Sequence, residues 1–278
     1  MPIRVVTDST ADLPAEVAQR AGITVVPLNV HFGTESYKDG VDLSHDEFYR
    51  RLVSSPHLPT TSQPSVGELM EVYRRLAQGS EGIISIHVSS RLSGTYNSAL
   101  QAREESGTSC PIEVVDTLQA SMGLGVIALA VAEAAKAGAH LTGAVEVANN
   151  VIPRAEFFGL VDTLDYLERG GRIGKATAFL GSLLRIKPLL TIREGEAHPL
   201  GRARTRAKGI DRLCEIAEGF ANLEALSVLH STTSDEAQSI AHRLKHLLPK
   251  GEVIIARFGP VVGTYLGPEA LGIALRHK

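Results

Sequence analysis

Two kinds of apolar run alternate along the first half of the chain. Short continuous blocks at 3–7, 23–30, 82–88 and 112–115 carry little polar alternation and predict strands buried on both faces. Between and after them, segments 14–21, 43–53, 66–78, 93–105 and 119–136 read as helices. Pro14 stands at the first turn of its helix, where its missing N–H costs little. Such alternation predicts right-handed βαβ units around a parallel sheet, with helices on both faces.

The second half follows a different pattern. Residues 157–161 predict a strand, and 163–169 a short helix that Gly170-Gly171 should end. Residues 187–192 and 197–201, joined by Arg193-Glu194-Gly195-Glu196, predict a hairpin. A helix, a strand at 226–230, a helix at 234–248 and a strand at 252–257 follow. The expected fold class is therefore α/β: an N-terminal parallel-sheet α/β domain over 1–155 and a smaller α+β domain over 156–278.

Composition narrows the function classes. Of 278 residues, 44% are hydrophobic and 21% charged, which describes an ordinary globular chain. Tryptophan is absent and aromatics are few, which argues against base-stacking platforms. The net charge of −3 argues against general attraction to nucleic acid. It is unevenly spread: residues 169–208 hold ten Lys/Arg and two acids, leaving the remainder acidic. That segment is either a solvated basic face or a docking surface for an anionic partner or a membrane. Only Cys110 and Cys214 are present, no signal peptide is visible, and the expected location is cytoplasmic.

The most informative stretch is Ser89-Ser90-Arg91-Leu92-Ser93-Gly94-Thr95-Tyr96-Asn97-Ser98. It lies where a predicted strand gives way to a helix that Ser93 is placed to cap. Unpaired backbone N–H groups and the helix dipole attract anions at such a point. A second hydroxyl cluster, Thr60-Thr61-Ser62-Gln63-Pro64-Ser65, also precedes a helix. Thr61, Ser62, Ser93 and the backbone N–H groups of Gly94 and Thr95 can all donate to a carboxylate. The plainer account is helix capping by Ser93 and a turn at 62–64.

Other chemistry is weakly supported. Gly123-Leu124-Gly125-Val126-Ile127-Ala128 matches a dinucleotide pattern, but seven residues separate it from the preceding strand, so close helix packing explains it better. There is no G-x-x-x-x-G-K-[ST] loop and no metal-ligand spacing among the ten histidines. Ser93, His87 or His230, and Asp116 could form a hydrolytic triad on paper, without a G-x-S-x-G elbow.

Several segments, in order, resemble the DegV family of bacterial fatty-acid-binding proteins. They are Val6-Thr7-Asp8-Ser9-Thr10-Ala11-Asp12-Leu13-Pro14, Thr61-Ser62-Gln63-Pro64-Ser65 and Ser90-Arg91-Leu92-Ser93-Gly94-Thr95-Tyr96. Val115-Asp116-Thr117, Leu167-Glu168-Arg169-Gly170-Gly171-Arg172-Ile173 and Gly259-Pro260-Val261-Val262-Gly263-Thr264 complete the set.

The resemblance implies a two-domain protein with a long-chain fatty acid as its ligand, held in a tunnel at the domain junction, and no other cofactor or metal. It implies a non-catalytic subunit that presents the carboxylate to a separate fatty acid kinase, which makes the acyl phosphate for phospholipid synthesis. Thr61, Ser62 and Ser93 match the family's carboxylate-binding positions. The basic segment then becomes the side facing the kinase or transiently touching a membrane, and nucleic acid is not an expected partner. Where the family typically has histidine after a Gly-Thr pair, this chain has Tyr265, which donates a hydrogen bond without positive charge. Glu269 stands where glycine is common in the family. Expected tunnel residues are Phe157, Phe158, Phe179, Leu180, Leu183 and Leu184, with plain core as the alternative role. A serine-dependent esterase or acyl-transfer enzyme in the same pocket is the competing reading, and a DNA-binding regulator using residues 169–208 a third.

Overall fold

The computed structural model describes residues 2–180 and 186–278. The N-terminal elements are β1 (Ile3–Asp8), α1 (Ala15–Ala21), β2 (Ile23–Val26), β3 (Asn29–Phe32), β4 (Glu35–Lys38), α2 (His45–Ser54), β5 (Thr60–Ser62), α3 (Val66–Ala77) and β6 (Gly82–His87). They are followed by α4 (Thr95–Glu105), β7 (Ile112–Asp116), α5 (Met122–Lys136) and α6 (Leu141–Val151). The C-terminal elements are β8 (Ala155–Leu160), α7 (Asp165–Arg169), β9 (Lys187–Arg193), β10 (Glu196–Ala203), α8 (Arg206–Glu218), β11 (Leu223–His230), α9 (Ser234–Leu244), β12 (Ile254–Arg257), α10 (Pro260–Leu266) and β13 (Leu271–His277).

Among the described residues, three sheets result. The first is parallel, in the order β2-β1-β6-β7. The second runs β10-β9-β8-β13-β11-β12 and is antiparallel except for the parallel pair β11 and β12. The third is a small antiparallel sheet, β4-β3-β5. The fold is thus mixed α/β with the expected parallel sheet in its N-terminal part.

Differences from the sequence pattern have local causes. The apolar run 23–30 is two strands in different sheets, because Pro27 lacks the N–H that a continuing ladder needs. Helix α4 starts at Thr95 with Gly94 as its cap, and α5 starts at Met122 after the left-handed residues Leu118 and Ser121. The β9–β10 hairpin turns through Glu194 and Gly195, both at positive φ.

Helix α5 is buried almost throughout its first eleven residues. It lies against β1 on one side and against β8 and β13 on the other, so an all-round apolar sequence suits it. A Cβ on Gly125 would come within 2.9 Å of the Ala11 carbonyl, and one on Gly123 within 3.3 Å of the Phe157 side chain. The two glycines therefore serve close packing, not a phosphate loop. A separate apolar layer covers the far face of the six-stranded sheet, where Phe158, Leu160, Leu189 and Val228 meet Leu213, Ile240 and Leu244.

Candidate functional site

The carboxyl ends of β1 and β6 and the start of α5 face the six-stranded sheet and α10 across a cavity. It holds about 920 Å³ of space between atoms, its open mouth included. Leu28, Val88, Leu92 and Ala120 line it from the N-terminal part. Phe157, Leu190, Ile192, Val261, Val262 and Leu266 line it from the C-terminal part. The wall is mainly apolar, and its hydroxyl-bearing side chains are Thr10, Thr61, Ser62, Ser93, Ser121, Thr191 and Tyr265.

The polar end is assembled from three distant segments. Ser65 caps α3 in a reciprocal pair with Glu68: its Oγ accepts the Glu68 N–H at 3.2 Å and its own N–H donates to Glu68 Oε2 at 2.9 Å. With capping supplied by Ser65, Thr61 and Ser62 stay in β5 beside the cavity. The Thr61 hydroxyl is hydrogen-bonded to Tyr265 Oη at 2.5 Å, while Ser62 Oγ pairs with His31 Nε2 at 3.0 Å. Ser93 Oγ is 2.8 Å from Thr95 Oγ1 and accepts the Thr95 N–H at 3.3 Å. Ser93 thus lines the cavity while bracing the first turn of α4, although Gly94 occupies the cap position.

Gly94 and Thr95 stand behind this wall. Neither lines the cavity, and Thr95 is fully buried. A Cβ on Gly94 would lie 2.6 Å from the Gln63 amide nitrogen, so the missing side chain gives Gln63 its place on the wall.

Of the expected tunnel residues that are described, only Phe157 lines the cavity. Phe158 points to the opposite face of β8, as strand alternation requires, and packs against Phe220 at a centroid distance of 5.7 Å. Phe179 packs on the main core outside the lining, and Leu180 is 40% exposed. Leu183 and Leu184 lie outside the described residues.

Sequence reasoning missed Gln63, Arg172 and Ser121. The Arg172 guanidinium sits 5.2 Å from the Tyr265 ring centroid, and its Nε donates to the Leu92 carbonyl at 3.2 Å. It brings positive charge beside a phenol that carries none. Ser121 has φ 54° and ψ −147°, an uncommon conformation for a side-chain-bearing residue. Its Oγ donates to Asp12 Oδ2 at 2.6 Å, and Asp12 Oδ1 accepts the Gly259 N–H at 2.8 Å. Asp12 thereby ties the cavity wall to the start of α10, the helix that carries Tyr265. Burial pushes the Asp12 carboxyl well above its ordinary range, against the pull of those two hydrogen bonds.

The hydrolytic constellation does not form: none of His87, His230 and Asp116 lines the cavity that Ser93 faces. His87 is fully buried, with Nδ1 2.9 Å from Asp8 Oδ2 and Nε2 2.8 Å from Ser85 Oγ, so both ring nitrogens are engaged away from Ser93. Asp116 Oδ1 accepts backbone N–H groups from Ser90 and Leu118. Ser89, in the same hydroxyl-rich stretch, donates to the Gly195 carbonyl at 2.6 Å and holds the β9–β10 turn against the N-terminal part.

Comparison with known proteins gives a consistent result. The family model for uncharacterised proteins of the DegV family matches residues 2–278. A DegV domain-containing protein of Streptomyces coelicolor is 41% identical over 99% of both chains. Among solved structures, a DegV family protein from Thermus thermophilus described by its fatty acid binding is 34% identical, with a TM-score of 0.92 over 100% of both chains. DegV of Bacillus subtilis, described as a fatty acid binding protein, is 36% identical, with a TM-score of 0.89 over 100% of both chains.

Proposed function

Since the chain belongs to the DegV family, we propose that it binds a long-chain fatty acid in the interdomain cavity and acts as a carrier, not an enzyme. The observation that carries this reading is an apolar cavity ending on Thr61, Ser62, Ser93 and Tyr265. Each buried methylene contributes about 0.8 kcal/mol, so the chain supplies most of the affinity. The hydroxyls fix where the carboxylate lies, with Gly94 and Thr95 shaping the loop behind Ser93. Phe157 belongs to the acyl wall, and residues 156–278 complete the tunnel begun by residues 1–155.

The carboxylate end lies close to Arg169 and Arg172, which line an adjoining hollow with Tyr166, Thr264 and Tyr265. We assign this basic side to a separate kinase subunit of the cytoplasm, which phosphorylates the presented carboxylate to an acyl phosphate, and to brief contact with a membrane surface. Neutral donors suit that role, because they hold a carboxylate while leaving an oxygen free for a second reactant.

The test is denaturing extraction of the purified protein followed by mass spectrometry. One long-chain fatty acid per chain is expected. A protein that is empty and takes up no added fatty acid overturns the proposal. Acyl phosphate formation on adding a bacterial fatty acid kinase and ATP tests the presentation step separately.

A further inference from the structure

A second cavity opens on the other side of the Ser9–Asp12 turn. It is a broad groove with about 1470 Å³ of space between atoms, much of it open to solvent. Its floor carries Asp12, Asp39, His45, His230 and Arg257, while Val25, Val41 and Ile255 stand on its rim. All three rim residues are exposed, Val41 to 68%. None of these groups takes part in the lipid site apart from Asp12, which faces the groove and braces Ser121 from behind.

Two polar atoms in the floor lack partners among the described residues. Asp39 is only 5% exposed, yet its Oδ2 has no hydrogen bond, and the same holds for Nδ1 of His230. Buried polar atoms are nearly always paired, so an orphaned carboxylate oxygen just beneath the surface of a groove marks a place for a donor. Gly259 leaves that place clear: a Cβ there would sit 3.1 Å from Asp12 Oδ1 and 3.5 Å from Asp39 Oδ2.

Among the described residues, the one fixed cation of the floor is already committed. Arg257 donates to Asp46 Oδ1 at 2.7 Å and to the Ser231 carbonyl at 2.8 Å, and lies 5.2 Å from the Tyr49 ring centroid. Burial first, and the nearby Arg257 second, lower the affinity of both His45 and His230 for a proton, which disfavours the imidazolium form here. What remains available is acceptor capacity with an apolar rim.

We propose that this groove is a second ligand site, for a small organic ammonium ion with an apolar body, its nitrogen donating to Asp39 and its hydrocarbon part lying on Val41 and Ile255. The proposal goes beyond the lipid reading and does not depend on it. Burial pushes the Asp39 carboxyl up to about 7, opposed by Ser9 and the Val261 N–H and reinforced by Asp8. Among the described residues, the charged and titratable groups around it are Asp8 and Asp12 from β1 and the turn after it, His45 and Tyr49 from α2, His230 from β11 and Arg257 from β12. Ammonium binding favours ionised Asp39, so affinity rises as pH increases through 7.

The experiment is an NMR titration of the full chain with butylammonium, following the ring signals of His45 and His230, which line this groove and not the lipid cavity. Butyrate and butan-1-ol serve as controls. Saturable shifts are expected with butylammonium alone, with at least threefold tighter binding at pH 8 than at pH 6. Asp39→Asn should weaken binding about tenfold. Val41→Arg, on the exposed rim, should weaken it at least threefold without changing the melting temperature, and it decides the matter if Asp39→Asn does not fold. Absence of saturable shifts, equal response to butyrate, or unchanged affinity in the variants overturns the proposal.

Discussion

Thr61 and Tyr265, 204 positions apart in sequence, share a hydrogen bond of 2.5 Å at the polar end of the main cavity. The bond joins the small sheet of the N-terminal part to α10 of the C-terminal part. It also places two hydroxyls side by side, where one carboxylate can reach both.

Tyr265→Phe removes that phenol without changing its shape. Loss of one hydrogen bond of ordinary strength, roughly 0.5–1.5 kcal/mol, corresponds to about a two- to tenfold drop in fatty acid affinity. Equilibrium binding of a fluorescent fatty acid measures it. Tyr265→His should bind more tightly as pH falls toward 6, since an imidazolium attracts the carboxylate. A pH-independent histidine variant would remove Tyr265 from the headgroup site.

Ser93→Ala separates ligand binding from helix bracing. Among the described residues the hydroxyl hydrogen-bonds only to Thr95, so its loss should lower the melting temperature by no more than about 2–4 °C. Fatty acid affinity should fall about tenfold. Equal small losses in both would mean that Ser93 serves α4 alone.

Phe157 and Phe158 are neighbours with opposite surroundings, one on the cavity wall and one in the core beneath α8. Phe157→Leu should change the spectrum of fatty acids extracted from the protein, favouring bulkier or longer chains. Phe158→Leu should cost about 1 kcal/mol of stability and leave that spectrum alone. Mass spectrometry and thermal unfolding of the two variants make the comparison.

Asp39 gives the fold a pH signature. Burial raises its carboxyl from 3.8 to about 7, so between these values the folded chain keeps a proton that the unfolded chain has released. Its contribution is therefore present below about pH 4 and lost as pH rises to 7. Asp12 shifts in the same direction, again first through burial. Asp39→Asn should gain melting temperature relative to the parent between pH 5 and pH 8. Parallel curves would show that Asp39 titrates normally.

Strands β1, β6 and β7 and helices α2 and α3 were legible in the sequence because one local rule decides each of them. A short block buried on both faces stays apolar throughout, and a helix over a core repeats its apolar face. β13 was not legible: Leu271-Gly272-Ile273-Ala274-Leu275 is short and contains a glycine, and its place between β8 and β11 depends on pairing with residues far away. β5 reads as a hydroxyl-rich loop because its three residues gain their strand geometry only from β3.

The candidate site was partly legible in the same way. Thr61 and Ser93 stand out through local context, next to helix starts. Arg172 and Ser121 join them only through tertiary proximity. Phe157 and Phe158 are both buried, so burial does not separate them; the one polar residue of β8, Glu156, shares a face with Phe158 by strand alternation, and which face meets the cavity is set only by tertiary packing.

The order of strands in the larger sheet bears on how the protein is made. β13 lies at its centre, between β8 and β11, yet follows all five partners in sequence. Until residues 271–277 have left the ribosome, β8 and β11 have no common neighbour and the sheet stands as two open pieces. The parallel sheet, by contrast, is complete once residue 116 has emerged. Synthesis therefore leaves a finished N-terminal half waiting beside an unzipped partner, with apolar strand edges exposed for the longest time that this topology allows. On the proposed reading, a nascent chain cannot grip a lipid early either: α10, which bears Tyr265, is translated just before the strand that closes the sheet.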